Sequence, residues 1–280
     1  MPELPEVETI KNDLYPEVTG RRFTGVSIFA PRMVLQPPVD ELRQRLTGQT
    51  VKDLVRRGKY LIFCLNSGEA LVLHMRMTGS LILNNKGSTT GESIPYIRAV
   101  FGLDNGVELL FCDRRKLGTV SLIDSEHELD RKLGPEPLES GFTPELLQTR
   151  LGRRKAPIKA VLCDQKFIAG IGNMYADEAL FLARIHPLRN ANSLSKKETG
   201  RLHKAIRETL RTAIDNGGAT VSDYYRPDGK PGRQQFAFYV AHRRGQNCKV
   251  CGTPLERIAI RNRGTYFCPK CQRLSGRLHN

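Results

Sequence analysis

The feature that most constrains this 280-residue chain lies near its end: Cys248-x2-Cys251, sixteen residues, then Cys268-x2-Cys271. Two such pairs supply four thiolates to one tetrahedral zinc, each pair forming a knuckle, and the segment between them can make a hairpin. Four sulfurs close the shell, so a zinc held there has no open position for substrate and is structural. The expectation is therefore one structural zinc and no organic cofactor. Iron can take zinc's place in vitro, and four free thiols are the alternative. Cys64, Cys112 and Cys163 lie singly in apolar stretches. Seven cysteines, an odd count, without an export signal argue against a disulfide scaffold. Between the pairs, Arg261-Asn262-Arg263-Gly264-Thr265 is basic, polar and hairpin-like. It is either a zinc-held tip that enters a groove or clamps a phosphate, or a solvated turn.

Lys and Arg number 44 against 29 Asp and Glu, a net charge of +15. That excess suits a polyanion, either nucleic acid or an anionic membrane surface, and does not separate DNA from RNA. The first 20 residues run against it, with five acids and Lys11 alone, while the last 38 hold nine bases against Glu256. No run of 18 apolar residues is present, and the opening Met1-Pro2-Glu3-Leu4-Pro5-Glu6 lacks the basic and apolar regions of a signal peptide. Both points argue against export and membrane insertion and for the cytoplasm. No feature demands an obligate oligomer, so a monomer is expected.

The pattern changes near residue 125. Before it, β-rich runs alternate with turns: 60–65 with 70–77 across Asn66-Ser67-Gly68-Glu69, and 97–103 with 107–113 across Asp104-Asn105-Gly106. Amphipathic helices are expected over 5–15 and 39–46, and the Gly/Ser/Thr-rich stretch 84–93 reads as a mobile loop. Beyond the connector the pattern is helical. Thr143-Pro144-Glu145 is an N-cap followed by proline, and Ser195-x-x-Glu198 is a capping box opening an apolar face that Asn216-Gly217-Gly218 ends. The expected organisation is a β-rich domain over 1–125, a connector over 126–142, a helical domain over 143–240 and a metal module over 241–280.

Two further segments have chemical possibilities. Gly170-Ile171-Gly172-Asn173 lies between a short apolar-periodic stretch, 156–163, and a longer helix expected over 174–184, and can present backbone N–H groups and Asn173 to a phosphate, although most such helix pairs merely pack. At the other end, Met-Pro is a good substrate for methionine removal, which leaves a secondary amine on Pro2. An α-amino group ionises near pH ~8, so a useful fraction is nucleophilic at neutrality and can form an iminium with a sugar aldehyde carbon. Glu3 and Glu6, one turn apart, offer an acid or base. An ordinary helix start explains the same residues, because Pro and Glu are favoured there.

Taken together, the motifs closely resemble the bacterial formamidopyrimidine-DNA glycosylase family. They are the opening Met1 to Thr9, Arg57-Gly58-Lys59-Tyr60, His74-Met75-Arg76-Met77-Thr78-Gly79, Asp113-Arg114-Arg115-Lys116-Leu117-Gly118, Leu133 to Leu138, Gly170 to Asn173, Asp228-Gly229-Lys230-Pro231-Gly232, and the cysteine pairs. They span nearly the whole chain in the family's order. The resemblance implies an α+β multidomain protein: a two-layer β-sandwich with flanking helices, a helix-two-turn-helix domain and a β-hairpin zinc finger, with double-stranded DNA between. It implies excision of oxidised purines, 8-oxoguanine opposite cytosine and formamidopyrimidines, followed by cleavage of the abasic strand.

The roles below are implied by the resemblance, position by position. Pro2 attacks C1′, Glu3 is the acid, and Lys59 and Arg263 act in the elimination steps. A guanidinium is effectively never deprotonated, so Arg263 is read as a phosphate clamp. Glu6 supports the site. His74, Tyr96, Arg115, Arg154 and Asn173 contact DNA, and Asp228 to Gly232 belong to a lesion-recognition loop whose glycines imply ordering on binding. Cys248, Cys251, Cys268 and Cys271 hold the zinc. An extruded nucleotide leaves a hole that the family fills with a Met, an Arg and usually a Phe. Here these are Met77, Arg115 and Leu117, and leucine wedges a base step without a stacking face. Some relatives carry a glutamate after the Met, where this chain has Thr78. The rivals are the sister endonuclease VIII, which prefers oxidised pyrimidines, a catalytically inactive damage-binding protein, and an RNA-binding zinc-ribbon protein.

Overall fold

The computed structural model describes residues 1–85 and 94–274. Most of the stretch read as a mobile loop, 86–93, lies outside the described residues. By internal contact the chain forms two compact units, 1–131 with 214–235 and 132–213 with 236–280.

The first unit opens with helix α1 (Leu4–Val18). Glu3 is its N-cap in a capping box: the Glu3 side chain accepts from the Glu6 backbone N–H, and Glu6 accepts from that of Glu3 at 2.8 Å. The strands follow as β1 (Phe23–Ile28), β2 (Val34–Gln36), β3 (Val51–Arg57), β4 (Tyr60–Leu65), β5 (Ala70–His74), β6 (Gly79–Asn85), β7 (Ile97–Leu103), β8 (Val107–Asp113) and β9 (Thr119–Ile123), with helix α2 (Val39–Leu46) between β2 and β3. They make two sheets, ordered β1-β7-β8-β6 and β2-β9-β5-β4-β3, antiparallel except for the β2–β9 pair. The two expected hairpins form at the expected turns, but β5 stops at His74, where 70–77 was expected to be strand.

The sheets share one apolar core. Phe23 of β1 stands edge-on to Phe101 in its own sheet and to Phe63 in the other, at 6.3 Å each, an arrangement that favours aromatic edges over faces. All five residues of β5 are buried, as its position in the middle of a five-stranded sheet demands. Helix α1 is tied to the strands through Glu8, which accepts from Arg56 of β3 at 2.6 Å and from Lys11 at 2.5 Å.

The sequence reading placed 143–240 in the helical domain, but Ile214–Gln235 packs with the sandwich. Burial decides this: Tyr224 is 4% exposed within the sandwich core, Arg226 makes a bidentate pair with Asp13 of α1 at 2.9 Å, and the Leu83 N–H of β6 donates to Pro227 O at 2.9 Å.

The second unit contains α3 (Pro144–Gly152), α4 (Ile158–Leu162), α5 (Asn173–Leu182), most of α6 (Lys196–Asp215) and the hairpin β10 (Glu256–Ile260) and β11 (Arg263–Phe267). The two expected caps are made: Thr143 accepts from the Leu146 N–H, and Ser195 and Glu198 close a reciprocal capping box. Arg261 and Asn262, both at positive φ, form the two-residue hairpin turn. Within α5, the buried Glu178 carboxylate accepts the N–H groups of Tyr239, Val240 and Ala241 at 2.8–2.9 Å, pinning the chain that leads to the hairpin. No described helix is long and apolar enough to cross a membrane.

Candidate active site

In the first unit, the N-terminus of α1 brings two carboxylates out of solvent, with Glu3 1% and Glu6 0% exposed. Such burial requires every oxygen to be employed. Glu6 gives one oxygen to the Glu3 N–H and the other to the Ala219 N–H at 2.8 Å, which fastens the helix start to the segment after α6. Gly218, at φ +75°, makes this possible, since a Cβ there would sit 3.0 Å from the Glu6 side chain. Pro2 is buried and Met1 exposed.

Lys59 follows Gly58 in the β3–β4 turn and is 6% exposed. Across the β4–β5 ladder, Tyr60 pairs with His74 and their rings meet edge-on at 4.5 Å. Burial, then Arg76 and Lys59, hold the His74 imidazole down at about 3. Its Nδ1 accepts the Arg76 N–H at 2.9 Å, so the ring is neutral with its proton on Nε2. An unfolded histidine ionises near pH ~6.5. Below that pH the unfolded chain takes up a proton that the folded chain refuses, so this contribution is intact above pH ~6.5 and is lost as pH falls towards the folded value. At pH 5 the loss is about 2 kcal/mol. Urea titrations from pH 5 to 7 should show the slope in the native protein and a flatter one in His74→Gln; equal slopes would count against the neutral buried imidazole.

Met77 and Leu117 project from two turns and are 42% and 41% exposed, with Arg115 beside Leu117. Tyr96 is exposed at φ +63°, its ring beneath the Arg98 guanidinium at 5.8 Å. The segment Asp228 to Gly232 is a tight turn in which Asp228 accepts from the Lys230 N–H at 3.0 Å and the Gly232 N–H donates to Thr220. A cavity of about 880 Å³ lies between this segment and the sandwich, lined by Thr78, Ser80, Tyr96, Asp223 and Tyr225 among others. Asp223 is held there by Ser80 and Arg114.

The second unit carries the remaining site residues. Asn173 begins α5 and donates from Nδ2 to Gly264 O at 2.8 Å, which places it against the hairpin next to the exposed Arg263. Beneath it lies an ion pair that sequence reading missed. Lys159 and Asp177, each 1% exposed, meet at 2.6 Å. Lys159 also donates to Asn173 O, and Asp177 accepts the Tyr266 N–H of β11. Burial pushes the Asp177 carboxyl up, and the Lys159 ammonium opposes it. Arg154 is exposed, 3.7 Å from Asp164 and over the Phe167 ring.

The sulfurs of Cys248, Cys251, Cys268 and Cys271 all lie within 4.8 Å of one another, with Cys251–Cys268 at 3.5 Å and Cys248–Cys271 at 4.0 Å. Four zinc–sulfur bonds of about 2.3 Å imply tetrahedron edges of about 3.8 Å. The cluster thus fits one structural zinc with all four positions taken by sulfur.

A β-sandwich, a helical unit and a four-cysteine hairpin define the class of zinc-finger DNA glycosylases, and family comparison shows the same three parts in order. The formamidopyrimidine-DNA glycosylase N-terminal domain matches residues 1–120, the H2TH domain of that enzyme 133–225, and the zinc finger found in that glycosylase and in isoleucyl-tRNA synthetase 245–274. This chain belongs to the formamidopyrimidine-DNA glycosylase family. It is 43% identical over 274 residues to the Chloroflexus aurantiacus enzyme of that name, covering 97% of this chain and 98% of the other, and 43% identical over 279 residues to that of Geobacillus kaustophilus, covering 98% and 100%. Among solved structures it is similar to the Lactococcus lactis glycosylase in complex with abasic-site DNA, with TM-score 0.88, 35% identity, and coverage of 97% of this chain and 99% of that one. A variant of that protein bound to DNA containing Fapy-dG gives TM-score 0.89, also at 35% identity, with coverage of 97% and 100%.

Proposed function

We propose that this protein is a cytoplasmic bifunctional DNA glycosylase and lyase that excises oxidised purines from double-stranded DNA through Pro2. The observation that carries it is the start of α1, where a buried proline precedes two buried carboxylates in a chain that belongs to this family throughout. After removal of Met1, the Pro2 amine attacks C1′ of the damaged nucleotide. The C1′–N bond breaks and the base leaves with the bonding pair, taking up the proton that the Pro2 nitrogen releases; Glu3 then gives a proton to the sugar ring oxygen as the C1′–O4′ bond breaks and the ring opens. The resulting iminium acidifies the C2′ hydrogens. Loss of one expels the 3′ phosphate, and a second elimination expels the 5′ phosphate, leaving a one-nucleotide gap. Glu6 holds the helix start in place. Lys59 serves the eliminations, Arg263 and Asn173 clamp phosphates from the second unit, and Tyr96, His74 and Arg154 contact the backbone. Met77, Arg115 and Leu117 fill the vacated stack, with Arg115 donating to the orphan cytosine. The loop through Asp228 to Gly232 frames the damaged base. Zinc, when bound, holds the hairpin that presents Arg263 and takes no part in bond making.

Sodium borohydride trapping with an 8-oxoguanine·cytosine duplex, read by intact mass, tests this. A DNA adduct on a chain lacking Met1 is expected. No adduct on that duplex or on an abasic duplex, with Met1 removed and zinc bound, would overturn the assignment. Faster trapping on an oxidised-pyrimidine duplex would turn it towards the endonuclease VIII type.

A further inference from the structure

The two turns that carry Met77 and Leu117 are built alike. In each, a basic residue at positive φ, Arg76 at +52° or Lys116 at +55°, precedes the apolar tip. Each turn closes on a glycine that admits no side chain: a Cβ on Gly79 would lie 2.5 Å from Met75 O, and one on Gly118 would lie 2.6 Å from the Phe111 ring. Non-glycine residues at positive φ persist only where their surroundings over-determine them. The turns lie side by side because β6 and β8 are antiparallel neighbours with Gly79 opposite Asp113, so the turn entering β6 abuts the turn leaving β8.

Asp113 occupies that junction and is 1% exposed. Its Oδ2 accepts the Leu117 and Gly118 N–H groups at 2.7 Å each. Its Oδ1 accepts the Arg115 N–H at 3.0 Å and the Thr78 hydroxyl, and the Thr78 oxygen lies 3.3 Å from the same Arg115 N–H. One carboxylate therefore fixes the backbone of Arg115 and Leu117 directly, and through Thr78 the residue next to Met77. Hydrogen bonds to a buried carboxylate are among the stronger ones.

We propose that Asp113 and Thr78 are positioning residues that lock the two turns into one rigid element, so that the base opposite the lesion is read by Arg115 held at a set height against Met77 and Leu117. The proposal rests on the reading of Met77, Arg115 and Leu117 as void-filling residues. It also accounts for Thr78 in this chain, since its hydroxyl is committed to Asp113.

The test measures single-turnover excision of 8-oxoguanine opposite cytosine and opposite adenine. Each rate is divided by the same variant's borohydride trapping rate on an abasic duplex. Thr78→Val keeps the shape and removes the hydroxyl; it should lower the cytosine-over-adenine ratio by about tenfold. Thr78→Ser should restore the ratio. Asp113→Asn, which cannot accept at both oxygens, should lower it further, and Thr78→Val keeps the proposal falsifiable if that variant does not fold. An unchanged ratio in Thr78→Val, alongside a collapsed ratio in Arg115→Ala and Met77→Ala, overturns the coupling and leaves the void-filling reading standing. An unchanged ratio in all of them overturns both.

Discussion

Chelating the zinc, or replacing Cys268 with serine, is expected to unfold the C-terminal hairpin and to weaken DNA binding by more than tenfold. Besides the metal, the hairpin is held by the Tyr266 N–H on Asp177, by Asn173 on Gly264 O and by the Phe267 ring against His186. Its apolar support in the second unit is a small cluster of Phe181, Val240, Leu255 and two of the cysteines themselves. Structural zinc in modules of this size supplies about 10–16 kcal/mol of apparent free energy, which is folding free energy because the unfolded segment has no preformed site. The β10–β11 ladder places Arg263 at the end of the hairpin turn, and Asn173 leans on Gly264 O, so both phosphate-binding candidates lose their seating together. Amide exchange after chelation should show β10 and β11 amides exchanging freely while those of β4 and β5 stay protected. Persistent protection of β10 and β11 would mean that the metal is dispensable.

The second large effect is expected at Lys159. Lys159→Met should cost about 3–5 kcal/mol, the range for removing one partner of a buried pair. The variant leaves the Asp177 carboxylate with the Tyr266 N–H but no cation, and Asn173 O loses a donor. Burial already pushes the Asp177 carboxyl up, and without the ammonium it rises further. The folded variant then holds a proton that the unfolded chain releases above pH ~4, so its stability should fall as pH rises from acid to neutral. Lys159→Met with Asp177→Leu removes both charges and should recover most of the loss. Denaturant midpoints at pH 5 and 7 check all three statements, and a loss below about 1 kcal/mol for the single variant would refute them.

Lys159 directly follows Pro157-Ile158, between the basic Arg153-Arg154-Lys155 and the apolar Ala160-Val161-Leu162, and nothing in that neighbourhood names a partner for its charge. Asp177 is eighteen residues away, and the contact exists only because α4 and α5 pack together. Asp113 presents the same difficulty. It was visible as the first letter of a motif whose own turn supplies three of its four donors, but the fourth, the Thr78 hydroxyl, depends on β6 lying beside β8. Arg226 is a third case, since its partner Asp13 lies at the other end of the chain and helps to draw 214–235 out of the helical unit and onto the sandwich.

What the sequence by itself determined is the chemistry whose geometry closes within a few residues. Two-residue cysteine spacing makes a knuckle wherever it is placed. Thr143 and the Ser195–Glu198 box satisfy helix N–H groups three positions on, and Asp-Asn-Gly turns a hairpin by its own backbone preferences. The proline-first opening belongs to the same group. Only the tertiary structure decided the strand order of the two sheets, the parallel β2–β9 edge, the unit that receives 214–235, and the distant partners of Glu6, Asp113, Glu178 and Lys159. Those are settled by burial: a carboxylate or ammonium taken out of water must find its donors or countercharge among whatever the fold brings near, and local sequence does not encode what that will be.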